Sequence, residues 1–145
     1  MKVSPGYQVV AVPQPLFSNQ YSTNSALSTT PVTGPNGSFW VIRHTDYAST
    51  ASSTYSLMLT TSAGTIKVPQ LGGSLTLNGR DSKIHVTDYP VGNSTLLYST
   101  AGVFTWVRSQ GKTTLVVYGG VGELHELAVK GIATGSVVVG SGVKF

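Results

Sequence analysis

Short apolar runs that alternate with polar residues, broken by turn signals about every 8 to 12 residues, constrain this chain more than any other feature. A helix needs apolar positions three or four apart over at least two or three turns, and no segment sustains that spacing. The pattern instead predicts an all-β, antiparallel, sandwich-like domain of many short strands. Tyr7 to Val12 reads as a first strand, closed by Pro13 and Pro15, which cannot donate to a ladder. A second is expected near Ala26 to Val32. Phe39-Trp40-Val41-Ile42 is apolar on both faces, as a doubly buried strand should be. Tyr55, Leu57 and Leu59 alternate with Ser56 and Thr60 like a half-buried strand, and Thr61-Ser62-Ala63-Gly64 turns into Thr65 to Val68.

Leu75 and Leu77 point to one face, and Ile84 and Val86 resume it. Between them Asn78-Gly79 predicts a hairpin turn, lengthened by Arg80-Asp81-Ser82. Strands follow at Thr95 to Thr100, Val103 to Arg108 and Thr113 to Tyr118, the last two joined through Ser109-Gln110-Gly111-Lys112. Glu123 to Lys130 has helix-favouring composition, but its shortness and flanking glycines assign it to a strand. The tail from Gly131 is rich in Gly, Ser and Val and stops on Val143-Lys144-Phe145, so the fold is expected to be incomplete at that end.

With 145 residues the chain is expected to be a single domain, residues 1–145, and it is too short for a (β/α)8 barrel of roughly 200 residues or more. Only 10% of residues are charged, and the net charge of +4 reflects scarce acids. Lys2, Arg43, Lys67, Arg80, Lys83, Arg108, Lys112, Lys130 and Lys144 are scattered, whereas nucleic-acid binders cluster such residues, so no nucleic-acid partner is expected. Absent cysteines exclude disulfides and thiolate zinc sites. No apolar run reaches the roughly 18 residues of a membrane helix, and no membrane partner is expected. Met-Lys-Val-Ser-Pro-Gly-Tyr lacks the apolar core of a signal peptide, so any secretion address lies elsewhere.

Glu123 and Glu126 are the only glutamates and so the natural candidates for a glycosidase acid and nucleophile. Such a pair must flank one bond with carboxyl groups about 5 to 9.5 Å apart. On a strand, a separation of three puts them on opposite faces, so a catalytic role is not expected. His125 lies between them, but the helical zincin pattern needs a second His four residues on. His44, His85 and Asp46 could join it only through the fold, and neither a metal nor a cofactor site is expected. Gly119-Gly120-Val121-Gly122 lacks the Lys-Ser or Lys-Thr of a phosphate loop and reads as a turn or bulge. No Gly-x-Ser-x-Gly elbow occurs.

Thr-Asp-Tyr occurs at residues 45–47 and 87–89, and both aspartates are expected to bond backbone where a strand exits into a turn. Arg80-Asp81-Ser82-Lys83 reads as a polar turn with, at most, a local ion pair. Trp40 and Trp106 are candidate sugar-stacking faces, although core packing is the stronger reading for both, Trp106 sharing a strand face with Phe104. Asn36 and Asn93 head Asn-x-Ser/Thr sequons in expected loops, glycan acceptors if the chain is secreted.

Several segments in order resemble the all-β second domain of fungal β-galactosidases of glycoside hydrolase family 35. They are Lys2 to Tyr7, Val41-Ile42-Arg43-His44-Thr45-Asp46-Tyr47, Thr61 to Gly64, Val68 to Gly73, and Leu77 to Tyr89. Leu97 to Ala101, Val103 to Trp106 and Val117 to Gly120 continue the likeness. Where that family commonly reads Gly-Pro-Gly-Glu-His-His-Glu, this chain has Val121 for the Pro and Leu124 for one His. After Val129 the likeness fades. The resemblance implies a secreted, multidomain enzyme that removes terminal β-D-galactose with retention. Its two catalytic glutamates lie on a barrel that these residues do not include, so no catalytic residue is carried over. The implied role is a non-catalytic β domain packed beside that barrel and other β domains, extracellular in the parent enzyme, with galactosides as ligands to test. A stand-alone carbohydrate-binding, lectin-like module is the alternative.

Overall fold

The computed structural model describes residues 20–143. The strand expected at Tyr7 to Val12 lies outside the described residues. Among them the chain forms eleven strands: β1 (Leu27–Gly34), β2 (Gly37–His44), β3 (Ser53–Tyr55), β4 (Leu57–Thr61), β5 (Gly64–Val68), β6 (Leu75–Leu77), β7 (Ser82–Val91), β8 (Ser94–Ser99), β9 (Gly102–Ser109), β10 (Lys112–Tyr118) and β11 (Leu127–Val129). Every pairing among them is antiparallel. A five-stranded sheet in the order β1-β2-β7-β8-β11 carries three two-stranded ribbons, β3-β6, β4-β5 and β9-β10. The expected all-β sandwich is what forms.

The central sheet is apolar on both faces, and β2 shows why. Trp40 and Ile42 enter one cluster with Leu27, Tyr98 and the inward residues of the β3-β6 and β4-β5 ribbons: Tyr55, Leu57, Leu59, Val68, Leu75 and Leu77. Phe39, one residue away and therefore on the other face, packs against a second cluster of Val86, Tyr89, Val91 and Leu96, which the β9-β10 ribbon covers with Val103, Trp106 and Leu115. Each fully buried side chain of this size favours folding by roughly 1.5 to 3 kcal/mol over exposure.

Three local devices reset the alternation. At Asp88 the backbone is left-handed, with φ at 53°, and β7 reverses its faces there. Val86 and Tyr89, three apart, thus share one cluster. Asp tolerates this conformation because its short carboxylate bonds nearby groups, here Ser62 N and Oγ, each at 2.7 Å. In β9, Val116 pairs with Thr105 but Val117 pairs with Val103, leaving Phe104 as the extra residue of a bulge. Val103 and Trp106 therefore face inward while Phe104 is 74% exposed, correcting the expectation that Phe104 and Trp106 share a face. Finally, the run expected as one strand through Tyr55, Leu57 and Leu59 changes ribbon at Ser56, whose N–H bonds Thr23 Oγ1 at 2.9 Å.

The hairpin expected across Asn78-Gly79 does not form. β6 pairs with β3, whereas β7 pairs with β2 and β8, so the connection crosses between layers. The left-handed residue is Arg80, with φ at 61°, and Gly79 serves close approach instead. A Cβ on Gly79 would lie 2.3 Å from the Thr50 carbonyl. The β9-β10 hairpin does form as expected, with Gln110 at φ 49° and Gly111 at φ 79°, the handedness that a two-residue turn requires. The strand expected over Glu123 to Lys130 shortens to β11, preceded by an extended segment that carries both glutamates.

Candidate functional site

The two glutamates are reached through Thr100, at the end of β8. Its N–H donates to the Glu126 carbonyl at 2.9 Å, and its hydroxyl accepts from Glu126 N at 2.8 Å. This pairing fixes the extended segment against the sheet edge and points the Glu126 carboxylate inward. Glu126 is buried, and the backbone N–H groups of Gln70 and Leu71 donate to it at 2.8 Å, with the Tyr98 hydroxyl as a third donor. Burial, reinforced by the bond to Glu126, raises the Tyr98 phenol well above its usual range, so it stays a donor. Every oxygen of Glu126 is engaged in tying the loop after β5 to the central sheet.

Glu123 faces elsewhere. Lys83 Nζ lies 2.5 Å from its Oε2, which also accepts from Gly120 N at 2.9 Å and His125 Nε2 at 3.1 Å. Asn78 Nδ2 donates to its Oε1 at 3.1 Å. Burial pushes the Glu123 pKa up, but the Lys83 ammonium and the surrounding donors more than offset it and hold the group below the usual carboxylate range. The glycines expected to make a turn also let this anion sit close to backbone. A Cβ on Gly120 would lie 2.5 Å from the Glu123 carboxyl carbon, and one on Gly119 would lie 2.1 Å from His125 Nε2. The ion pair of the Arg80 to Lys83 segment is therefore the distant one with Glu123 and not a local one.

Glu123, Lys83 and His125 line one end of a groove of about 470 Å³, whose other walls include Phe39, Ile84, Tyr89, Val103 and Tyr118. Glu126 is not among its lining residues. The two carboxylates hold different loops through separate partner sets, and they do not converge on one cavity. Each carboxylate is anchored: Glu126 takes donors on both oxygens, and Glu123 is held by Lys83, Gly120, His125 and Asn78.

The remaining candidates are separated too. His44 Nε2 meets Ser53 Oγ at 3.2 Å, while His85 Nε2 meets the Tyr55 hydroxyl at 3.0 Å in the core. Burial lowers the His85 pKa to about 4, with the charges of Lys83 and His125 acting in the same direction and the Thr100 backbone opposing them. Asp46 accepts from Ala48 N at 2.9 Å in a turn, as expected. Asp88 instead bonds a neighbouring hairpin from within β7, so the two Thr-Asp-Tyr copies do different work.

Trp40 is 3% exposed, donates to Thr87 Oγ1 at 3.2 Å and packs edge-on against Tyr21. Trp106 packs into the second cluster. Trp40 therefore presents no open ring face for a sugar, and Trp106 is half-buried. Asn36, in the β1-β2 turn, and Asn93, in the β7-β8 turn, are both exposed, and Asn93 Oδ1 accepts from Arg108 Nη1 at 2.7 Å. Sequence reasoning placed Asn78 and Lys83 in turns and not beside Glu123, and it missed Tyr98 as a partner of Glu126.

The family model described as "Beta-galactosidase, domain 2" matches residues 11–144. The chain is 56% identical over 143 residues to β-galactosidase A of a Penicillium species, covering 97% of this chain and 14% of that protein. It is 52% identical over 141 residues to β-galactosidase A of Aspergillus niger, again 97% of this chain and 14% of the relative. A probable β-galactosidase A of Neosartorya fischeri matches at 52% over 146 residues and 100% of this chain. The likeness thus continues past Val129, where it was expected to fade. The chain spans about 14% of the length of these curated relatives. It belongs to the family of the second domain of β-galactosidases.

Proposed function

We propose that residues 1–145 act as a non-catalytic β domain of a β-galactosidase, the parent enzyme removing terminal non-reducing β-D-galactose with retention. In this reading the domain packs beside the catalytic barrel and other β domains and supports the sugar-binding cleft. The parent enzyme works outside the cell, with Asn36 and Asn93 as its glycan acceptors here. The observation that carries the reading is the use made of the only two glutamates. Each carboxylate is held by its own set of donors, and the two sets share no residue. The two glutamates are thus committed to holding loops and not paired across a space where a glycosidic bond could lie.

A carbohydrate-binding module in its own right is not favoured, since Trp40 is buried and Trp106 is packed under the β9-β10 ribbon. The test is replacement. This chain is exchanged for the matching segment of Aspergillus niger β-galactosidase A, and the hybrid is assayed on a chromogenic galactoside. Retained turnover with a lowered melting temperature is the expected result. A hybrid that folds and binds a galactose-type inhibitor yet has no turnover would overturn the supporting role.

A further inference from the structure

His125 is bonded at both ring nitrogens to groups that can only accept. Nδ1 lies 3.1 Å from the Thr100 carbonyl oxygen, and Nε2 lies 3.1 Å from Glu123 Oε2. A peptide carbonyl has no proton to give, and Glu123, held by Lys83 and Gly120 N, is ionised. Both contacts are hydrogen bonds only when the imidazole carries two protons. A neutral ring keeps one proton, so one nitrogen then turns a lone pair toward an oxygen and that contact becomes repulsive. We propose that His125 is a proton-operated latch. When charged it ties the end of β8 to the Gly119–Glu123 turn, and when neutral it releases that turn and loosens the end of the groove.

The surroundings make the charge state consequential. Lys83, from β7, shares Glu123 with the imidazolium, so one negative charge is divided between two cations. Asp81, before β7, and Tyr118, at the end of β10, line the same groove, and His85 stands behind it in the core. His85 stays neutral through the window in which a histidine ordinarily changes charge, about pH 5 to 8, so it does not mask the latch. Gly119 gives the ring its seat, since any side chain there would occupy the position of Nε2. The turn that the latch holds also carries the Gly120 N–H bonded to Glu123 Oε2, which provides a local reporter.

The experiment uses the full chain labelled with ¹⁵N. Imidazole spectra are recorded between about pH 5 and 8, with hydrogen-exchange protection of the Gly120 amide corrected for its intrinsic pH dependence. The expected result is two protonated ring nitrogens on His125 at the acid end. Gly120 protection then falls by about tenfold as the ring loses a proton, the loss of one charge-assisted hydrogen bond. In His125→Gln, which does not titrate, Gly120 protection should be flat across the window. Protection that is flat in the original chain, or that falls equally in the variant, would overturn the latch. If the variant does not fold, the nitrogen shifts of the original chain decide alone, and one fixed neutral tautomer throughout the window would refute the proposal.

Discussion

Acidification should remove one stabilising contribution, that of a neutral His85, and the size of that contribution can be worked out. Its side chain is 1% exposed, and its pKa falls from 6.5 to about 4. A folded-state pKa below the unfolded value means that the unfolded chain binds the proton more readily. The stabilisation is therefore complete above pH 6.5 and is lost as pH falls toward 4. Between pH 7 and pH 5 the loss is about 2 kcal/mol, and its ceiling, reached below both values, is roughly 3 kcal/mol. Urea unfolding at the two pH values, compared with a variant that cannot titrate at this position, isolates it as a difference of about 1 M in the midpoint shift for a typical slope. His85→Gln keeps a polar partner for the Tyr55 hydroxyl but cannot titrate. Its loss of stability over the same interval should be smaller than that of the original chain by about 2 kcal/mol. Equal losses in the two proteins would refute the reasoning, because every other titrating group is common to both.

Two substitutions test the joints of the structure. Glu126→Gln replaces a carboxylate that takes three donors by an amide whose nitrogen must face one of them, so stability should fall by about 2 to 4 kcal/mol and the melting temperature by on the order of 10 °C. An unchanged melting temperature would show that the carboxylate holds nothing. Gly79→Ala drives a methyl group into the Thr50 backbone, which cannot move aside as a side chain would, and should cost about 1 to 3 kcal/mol in chemical denaturation. Full stability in that variant would contradict the close approach of the two loops.

Most of the fold was legible because the hydrophobic period reports directly which residues face inward. The alternation of Tyr55, Leu57 and Leu59, the two-sided apolar run of β2 and the turn at Ser109 to Lys112 all appear where the pattern places them. What the pattern could not report is which strand lies beside which. Leu75 to Leu77 and Ile84 to Val86 look like two arms of a hairpin, yet a period-two pattern is the same for strands that pair and for strands in different layers. The Asn78-Gly79 pair looked like a hairpin turn for its backbone freedom, but glycine is also required where two backbones nearly touch. Bulges are similarly silent, and Phe104 reads as inward until the extra residue in β9 turns it out.

The site was half visible for a related reason. Strand alternation separated Glu123 from Glu126, and they are indeed separated, although the segment between them is extended without belonging to a ladder. Gly120 and His125 are sequence neighbours of Glu123, but the partners of Glu126 come from 26 to 56 residues away, beyond anything that local spacing reveals.

The most direct test of the account is turnover by the purified chain on a chromogenic β-galactoside, alongside Glu123→Gln and Glu126→Gln. If the two carboxylates are anchors, none of the three proteins hydrolyses the substrate, and only their stabilities differ. Hydrolysis by the original chain that either substitution abolishes would mean that these glutamates react, and the reading of them as loop anchors would be wrong.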